Sequence, residues 1–541
     1  MVFYSTRRPT EIPVTGVVDF IFENRNRIPD NKRLLIDASS NDTLTFGQIK
    51  QQTLQFAAGL QDHCQFNRGD VMAIFAPNMM DYSIPFLGAL AAGGTVTTAN
   101  PAYTARELLH QLSLSSAKVI VCTVGNAPVA LEAANQAGIS PSNVFVFGKT
   151  ASPLGPRPYS QVLLGGRQLE KPMAIHNPLD EVSVMCFSSG TTSMPKGVMT
   201  THSNITSNIL QLDAMLYPFI KSPSDHLLAT LPFFHIYGLV VVMFMALYWG
   251  NPLVVMSSFD LVQFCETIQK HKIKFASVVP PILVLLAKQD LASKYDLSSL
   301  QTLMSGAAPL TTELTEEVMA RFPQVTVIQG YGLTETSPVL TVSPHEIVRH
   351  GTSGMLLPNI TAKIVNEEGK EVGVGERGEL WVKGPNIMKG YIKNPKATAE
   401  CIDFEGYFHT GDVAIIDKDG FVSIVDRIKE LIKYKGFQVP PAELEGLMLA
   451  SPMIADCAVI GVYDKEQATE IPCAYVVLKP DYAASDETAK VIQKFVADQV
   501  VNYKQVRIVR FAKEIPRSAA GKILRRILRD EANKLATKAK L

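Results

Sequence analysis

Residues 311–336 read TTELTEEVMARFPQVTVIQGYGLTET, which joins a helix pattern, a strand pattern and a glycine-rich loop. Thr311 or Thr312 is a suitable N-cap, and Pro323 ends the helix because proline cannot continue its hydrogen bonding. Three apolar residues recur on one face of this helix: Leu314, Val318 and Phe322. The apolar, β-branched segment 325–328 predicts a strand. Its carboxyl end delivers the loop 330–332 to the sheet edge where α/β folds bind ligands.

Short apolar runs alternate with helix patterns through most of the chain. The predicted strands are 71–75, 119–122 and 144–147, and the predicted helices are 105–114 and 129–137. Thr104 is the expected cap of the first of these helices. Strands that alternate with helices predict an α/β fold of layered subdomains with largely parallel sheets.

The pattern changes after Gly354, where a glycine-rich turn region at 373–378 is followed by the strand-like segments 379–382 and 414–416, which predicts a β-rich subdomain. We place the main boundary near Arg427. The chain then divides into a large N-terminal domain, 1–426, and a small mobile α+β domain, 427–541. The expected elements of the small domain are strands at 458–462 and 474–478 and a helix at 486–503.

The composition and the net charge argue against several classes of protein. A chain of 541 residues exceeds one ordinary core, and 47% hydrophobic with 19% charged residues is a globular composition. The formal net charge of zero argues against a general nucleic-acid binder. Seven scattered cysteines without a C-x-x-C pair argue against a disulfide framework or a zinc site and predict buried thiols in a reducing compartment. The longest apolar run, 239–249, is too short to span a membrane and predicts a core helix.

Four motifs carry the chemistry: SSGTTSMPKG at 188–197, GYGLTET at 330–336, YFHTGD at 407–412 and PRSAAGK at 516–522. The first has the composition of a phosphate cradle, since glycines allow close approach and successive N–H groups form an anion nest. Lys196 adds a positive charge. The spacing differs from the P-loop motif, and a polar surface turn is the alternative interpretation.

The last three residues, Ala539, Lys540 and Leu541, differ by one substitution from the Ser-Lys-Leu peroxisomal signal. We therefore expect a peroxisomal location and recognition by the peroxisomal import receptor, with the cytoplasm as the alternative.

Together the motifs resemble the adenylate-forming superfamily of acyl-CoA synthetases, luciferases and peptide-synthetase adenylation domains. Within it the chain looks most like 4-coumarate–CoA ligases and their fungal and peroxisomal acyl-CoA ligase relatives. The resemblance covers nearly the whole length. Further matching segments are 234–237, 305–310, 390–391 and 433–438. The resemblance implies an AMP-forming acid–CoA ligase that uses ATP, Mg²⁺ and CoA. Its reaction would proceed through an acyl-adenylate and release pyrophosphate.

The resemblance also implies where ATP binds. The implied nucleotide residues are Ser188, Ser189, Gly190, Thr191, Thr192, Lys196, Gln329, Gly330, Tyr331, Thr334, Asp412 and Arg427. Glu335 would hold Mg²⁺, which prefers carboxylate and phosphate oxygens. Asp412 and Arg427 would hold the ribose.

The implied catalytic residues are Lys522, His235, Lys433 and Glu335, of which Lys522 would stabilise the charge of the adenylation step. The implied acyl-adenylate and acid pocket comprises Tyr237, Val240, Val241, Ala307, Gly332, Pro338 and Lys429, and Lys429 also matches the family's hinge position. Rotation of the small domain would withdraw Lys522 and bring in Lys433, with Lys435 and Gly436 at CoA. The alternative interpretations without a catalytic role are a core histidine at 235 and a solvated lysine at 522. We interpret Arg517, Arg525 and Arg526 as surface charge.

Two departures bear on the substrate. The plant phenylpropanoid ligases often carry Asn and Ser where this chain has Val240 and Val241, so a less polar acid fits better: cinnamate-like, phenylacetate-like or a medium-chain fatty acid. Ser258 stands where the relatives have a lysine near the CoA phosphates. The open alternatives are a luciferase-like oxygenase, a stand-alone enzyme that loads a carrier protein, and an inactive binding protein.

Overall fold

The computed structural model describes residues 1–188, 195–220, 222–435, 437–464, 467, 469–518 and 521–538. The strands are β1 Val2–Tyr4, β2 Arg33–Asp37, β3 Thr43–Thr45, β4 Val71–Phe75, β5 Thr95–Ala99, β6 Ala117–Cys122, β7 Val144–Val146, β8 Arg157–Pro158, β9 Val182–Ser188, β10 Lys196–Thr201, β11 His226–Ala229, β12 Leu253–Val255, β13 Ile273–Val278, β14 Thr302–Ser305, β15 Thr326–Gly332, β16 Val339–Val342, β17 Met355–Leu356, β18 Thr361–Val365, β19 Arg377–Lys383, β20 Gly390–Tyr391, β21 Phe408–Ile416, β22 Val422–Arg427, β23 Ile432–Tyr434, β24 Phe437–Val439, β25 Ile454–Asp464, β26 Thr469–Leu478 and β27 Ile508–Phe511. The α-helices are α1 Val17–Phe22, α2 Phe46–Cys64, α3 Ser83–Ala91, α4 Ala105–Ser115, α5 Ala127–Gln136, α6 Tyr159–Val162, α7 His202–Leu216, α8 Met245–Trp249, α9 Leu261–His271, α10 Pro280–Lys288, α11 Thr312–Arg321, α12 Pro395–Ala399, α13 Pro441–Leu449, α14 Asp486–Ala497 and α15 Arg525–Lys538.

The first layered unit is an eight-stranded sheet in the order β20-β10-β9-β5-β4-β6-β7-β8. Its strands from β9 to β8 run parallel, whereas β10 and β20 are antiparallel additions at one edge. Every residue of β4 is buried, as expected for a strand covered on both faces. The capping box of Thr104 with Glu107 starts α4. These elements confirm the layered α/β prediction.

The strand of the segment 311–336, β15, lies in a nine-stranded sheet with the order β17-β16-β15-β14-β13-β11-β12-β2-β3. The hydroxyl of Thr311 accepts the Leu314 N–H at 3.3 Å, and α11 ends at Arg321 before Pro323. Strand β15 continues to Gly332, past the predicted end, because Gly330, Tyr331 and Gly332 pair with the antiparallel β16. The glycine-rich loop is therefore held by sheet hydrogen bonds.

The predicted β-rich region is a five-stranded antiparallel sheet in the order β1-β18-β19-β21-β22. The N-terminal strand β1 completes it by pairing with β18. In β21 and β22, Asp412 lies opposite Arg427, so the sheet register places these two charged residues side by side.

The C-terminal region holds the hairpin β23-β24 and a sheet β25-β26-β27, with α13, α14 and α15 packed around them. The strands at 458–462 and 474–478 are confirmed, each within a longer strand. The helix predicted to reach 503 ends at Ala497, and the β-branched Val500 and Val501 follow its end. The domain boundary at residue 427 stays a prediction.

The apolar run 239–249 is buried, as predicted, in a π-helix, Tyr237–Phe244, that continues into α8. Among the described residues no helix is long and apolar enough to cross a membrane. All seven cysteines are free thiols, and all except the half-buried Cys401 are buried, as expected.

Candidate active site

A cavity of about 1140 Å³ opens where the carboxyl ends of β14 and β15 meet β10, β21, β22 and the segment before α15. The predicted site residues that line it are Ser188, Lys196, His235, Tyr237, Ala307, Gly330, Tyr331, Gly332, Thr334, Glu335, Pro338, Asp412, Arg427, Lys429 and Lys522. All four motifs contribute at least one of these residues, although they span more than three hundred positions. The fold therefore brings the motifs to one place.

Glu335 lies in the part of this cavity nearest Lys196. Its side chain is buried, and its Oε1 accepts hydrogen bonds from Ser188 Oγ at 3.0 Å and Tyr391 Oη at 2.8 Å. No donor among the described residues forms a hydrogen bond to Oε2 of Glu335. The Lys196 ammonium lies 4.7 Å from the centroid of the Tyr391 ring. A carboxylate and an ammonium thus flank one tyrosine.

A second cluster surrounds Asp412. Its Oδ2 accepts a hydrogen bond of 2.6 Å from Tyr331 Oη, and its Oδ1 lies 3.4 Å from Arg427 Nε. Burial raises the pKa of Asp412, and the Arg427 charge opposes that rise. Burial together with the neighbouring carboxylate holds the pKa of Tyr331 well above its usual value. Tyr331 therefore remains a hydrogen-bond donor to a buried carboxylate.

Lys522 and His235 face the same cavity from different domains. Burial and the nearby Arg427 lower the pKa of Lys522 to about 8, and among the described residues no carboxylate forms an ion pair with it. Burial and the Lys522 charge lower the pKa of His235 to about 4, so its ring is neutral near pH 7. Its Nδ1 accepts the Tyr237 N–H at 3.3 Å. The cavity thus holds a neutral imidazole and a readily titrated ammonium.

The apolar end of the cavity surrounds Tyr237. Its hydroxyl donates to the Met304 carbonyl at 3.1 Å and is buried. A Cβ on Gly306 would lie 3.1 Å from the Tyr237 ring, and a Cβ on Gly330 would lie 2.7 Å from Met304 Cε. These glycines keep the pocket open beside the ring. Ala307, with φ of 67°, adopts the left-handed region at the same place.

Several predicted residues lie elsewhere. Val240 and Val241 do not line the cavity, because the π-helix packs both of them into the main core, with 0% and 4% exposure. Gln329 is held in the sheet by Ser343 and does not line the cavity. Lys433 and Lys435 are exposed on the β23-β24 hairpin, outside the cavity. The remaining predicted residues lie outside the described residues: Ser189, Gly190, Thr191, Thr192, Gly436, Ala539, Lys540 and Leu541.

The interpretation of Arg525 as surface charge is wrong. Its side chain is 8% exposed and contacts Glu430 Oε2 at 2.6 Å and Glu445 Oε2 at 2.6 Å. The spacing of Arg525, Leu528 and Ala532 on one buried face of α15 was the signal that could have revealed it. Arg517 is half-buried and pairs with Asp456, whereas Arg526 is exposed as predicted.

Helix α13 of the C-terminal region is hydrogen-bonded at both of its ends to residues that precede the predicted domain boundary at 427. Asp426 Oδ2 accepts the Ala442 N–H at 3.0 Å at the start of the helix. At the other end Lys288 Nζ donates to the Leu449 carbonyl at 3.2 Å. These contacts accompany the orientation in which Lys522 lines the cavity.

Comparison with known proteins identifies the family. The AMP-binding enzyme family matches residues 21–392, and the AMP-binding enzyme C-terminal domain matches residues 443–522. The chain is 39% identical over 518 residues to 4-coumarate–CoA ligase 1 of Petroselinum crispum, covering 94% of this chain and 93% of that protein. It is 37% identical over 543 residues to a probable 4-coumarate–CoA ligase 1 of Dictyostelium discoideum, covering 98% and 97%. The crystal structure of ATP-bound MatB from Rhodopseudomonas palustris has a TM-score of 0.85 at 26% identity, covering 97% of this chain and 100% of that one. The chain therefore belongs to the AMP-binding enzyme family, in the adenylate-forming superfamily, and is an AMP-forming acid–CoA ligase.

Proposed function

We propose that the acid is an aromatic acid of the phenylpropanoid type without a para-hydroxyl group, such as cinnamic acid, in preference to 4-coumaric acid. The observation that carries this proposal is the Tyr237 hydroxyl, which already donates to the Met304 carbonyl. A substrate phenol placed beside that ring would lose its hydrogen bonds to water and would find the Met304 carbonyl already occupied by Tyr237, which disfavours binding. Relatives named for 4-coumarate support the aromatic class.

In the first half-reaction the acid carboxylate attacks the α-phosphorus of ATP, and pyrophosphate leaves. We assign Lys522 to the negative charge that develops at this step, because its side chain lines the cavity and forms no ion pair in the described part of the chain. Neutral His235 would orient the acid carboxylate. Tyr331 would line the adenine and acyl-adenylate site, and Asp412 with Arg427 would hold the ribose.

We assign Mg²⁺, bound with ATP, to Glu335. Magnesium is commonly held by one or two carboxylates together with substrate phosphates. Glu335 fits this pattern, since Oε1 accepts from two hydroxyl groups and no donor in the described part of the chain bonds Oε2. No group of three or more His, Cys, Asp or Glu residues suited to a metal occurs among the described residues, so phosphate oxygens would complete the coordination. When bound, the ion neutralises phosphate charge.

In the second half-reaction the CoA thiol attacks the acyl carbon and AMP leaves. We assign Lys433, Lys435 and Gly436 to this step, after rotation of the small domain about Lys429. Both lysines lie on the exposed hairpin outside the cavity, which agrees with a second orientation in which they approach it. Lys522 and CoA would then enter the same site one after the other, and the domain rotation would set the order of the two steps.

The test measures pyrophosphate release and CoA-thioester formation in parallel with cinnamic, 4-coumaric, phenylacetic, hexanoic and longer fatty acids. We expect kcat/KM for cinnamic acid to exceed that for 4-coumaric acid. Tyr237→Phe is the matched variant: it removes only the hydroxyl and frees the Met304 carbonyl to accept from a substrate phenol, so the preference for cinnamic acid should shrink. A higher kcat/KM for 4-coumaric acid would refute the apolar assignment. A fatty acid as best substrate would refute the aromatic one, and pyrophosphate without thioester would indicate another acceptor.

We also propose that Ala539, Lys540 and Leu541 direct the protein to the peroxisome through the import receptor. The support is the near match to Ser-Lys-Leu. A fluorescent protein fused before the full chain should enter peroxisomes, and deletion of the tripeptide should leave it in the cytoplasm. Equal distribution of the two fusions would contradict the proposal.

A further inference from the structure

Tyr391 contacts two charged side chains: Glu335, assigned above to Mg²⁺, and Lys196, which the family resemblance places among the ATP-binding residues. Its hydroxyl donates to Glu335 Oε1 at 2.8 Å, and the Lys196 ammonium stands 4.7 Å from its ring centroid. Lys196 and Glu335 form no ion pair with each other in the described part of the chain. The tyrosine therefore contacts both charges while they remain separate.

The backbone around Tyr391 is fixed by the sheet. Strand β20 pairs with β10, and Val198 lies opposite Tyr391. The Ile392 N–H donates to the Gly197 carbonyl at 2.9 Å, and the Tyr391 N–H donates to Thr398 Oγ1 at 2.9 Å. Because Lys196 begins β10, the same pairing sets the distance between the ring and the lysine.

The chemistry of the two contacts differs from that of an ion pair. A hydroxyl that donates to a carboxylate oxygen fixes the orientation of the carboxylate and leaves its full charge. An ammonium over an aromatic face is attracted to the ring and also keeps its charge.

We infer that Tyr391 is a positioning residue for the pyrophosphate-forming half-reaction. It holds Glu335 and Lys196 apart and aimed into the cavity, so that the carboxylate binds the metal and the lysine binds phosphate without neutralising one another. This inference rests on the proposed Mg²⁺ role of Glu335 and on the nucleotide-binding role that the family resemblance implies for Lys196. Tyr391 acts through its contacts with these two side chains.

The test compares Tyr391→Phe, which removes only the hydroxyl, with Tyr391→Leu, which also removes the ring. Tyr407→Phe is the matched control, since its ring also lies beneath a lysine, Lys363 Nζ at 4.5 Å, but does not line the cavity. The first readout is the dissociation constant of Mn²⁺ with α,β-methylene-ATP, measured from the electron paramagnetic resonance signal of free Mn²⁺. The second is each half-reaction by itself, with chemically prepared cinnamoyl-AMP and CoA for thioester formation.

We expect Tyr391→Phe to weaken Mn²⁺·analogue binding about 10- to 100-fold, the usual effect of losing a hydrogen bond to a charged group. Tyr391→Leu should weaken it about 2- to 5-fold more through loss of the cation–π contact. Thioester formation from cinnamoyl-AMP should stay within about twofold of wild type in both variants. Tyr407→Phe should match the wild type in every measurement.

Wild-type Mn²⁺·analogue binding by Tyr391→Phe would overturn the inference. So would equal losses in both half-reactions, because they would indicate a general structural role. Failure of the proposed function gives a different result: the wild type itself would form no thioester with any acid. The nucleotide-binding measurement needs no acid, so it tests Tyr391 in that case too.

Discussion

Replacing Arg525 by methionine would open a buried charge cluster in the small domain. The guanidinium contacts Glu430 at 2.6 Å and both oxygens of Glu445 at 2.6 and 2.7 Å, and its Nε donates to the Val459 carbonyl at 3.2 Å. The exposed fractions of the three side chains are 8%, 5% and 9%. Water therefore has little access to the two carboxylates when the guanidinium is removed.

The magnitude follows from what remains after the substitution. Two carboxylates, from Glu430 and Glu445, would stay buried without their cation, and removing one partner of a buried pair commonly costs about 3–5 kcal/mol. Burial already raises the pKa of the Glu445 carboxyl, and loss of the Arg525 charge, which opposes that rise, would move its folded-state pKa further above the unfolded value. The variant's folded state would take up a proton more readily, so its stability deficit should shrink as pH falls towards and below the raised pKa and grow as pH rises through it.

The assay is hydrogen exchange of the amides in β25 and α15, which reports the local opening free energy without assuming two-state unfolding of the whole chain. Arg526→Met, at the exposed neighbouring position, is the control and should change the opening free energy by at most about 0.5 kcal/mol. A loss below about 1 kcal/mol at pH 7 in Arg525→Met, or a loss that grows as the pH is lowered, would refute the reasoning.

Three further predictions concern the reaction. Lys522→Ala should lower pyrophosphate release about 10²- to 10³-fold and leave thioester formation from prepared acyl-adenylate nearly unchanged, whereas equal losses would contradict its assignment to the first step. Because the Lys522 pKa lies at about 8, kcat/KM for ATP should fall as pH rises through that value, and Lys522→Arg should move this limb to higher pH; an unmoved limb would assign the titration to another group. Lys288→Met removes the donor to the Leu449 carbonyl and should slow pyrophosphate release about 2- to 10-fold without slowing thioester formation, as measured on the separate half-reactions. Slower thioester formation would show that this contact does not favour the first orientation.

Local patterns in the sequence were sufficient for much of the fold. The helix after Thr311 and the strand that follows it were predicted because capping, apolar periodicity and proline act within a few residues. Most of the site residues that the family resemblance implied within the described part of the chain also line the cavity, since each motif is a short continuous segment. The helix predicted as 486–503 was too long, because local propensity does not define where tertiary packing ends a helix.

The sequence by itself determined the class of fold, the family resemblance and the identities of the charged groups, because these depend on short stretches of chain. The tertiary structure alone decided which of those groups meet. Tyr391 reaches Glu335 across 56 positions, Tyr331 reaches Asp412 across 81, and Arg525 reaches Glu445 across 80. It also packed Val240 and Val241 into the main core. The physical reason is that burial, and with it the energy of a charge, depends on all neighbours in space, most of which are distant in the chain.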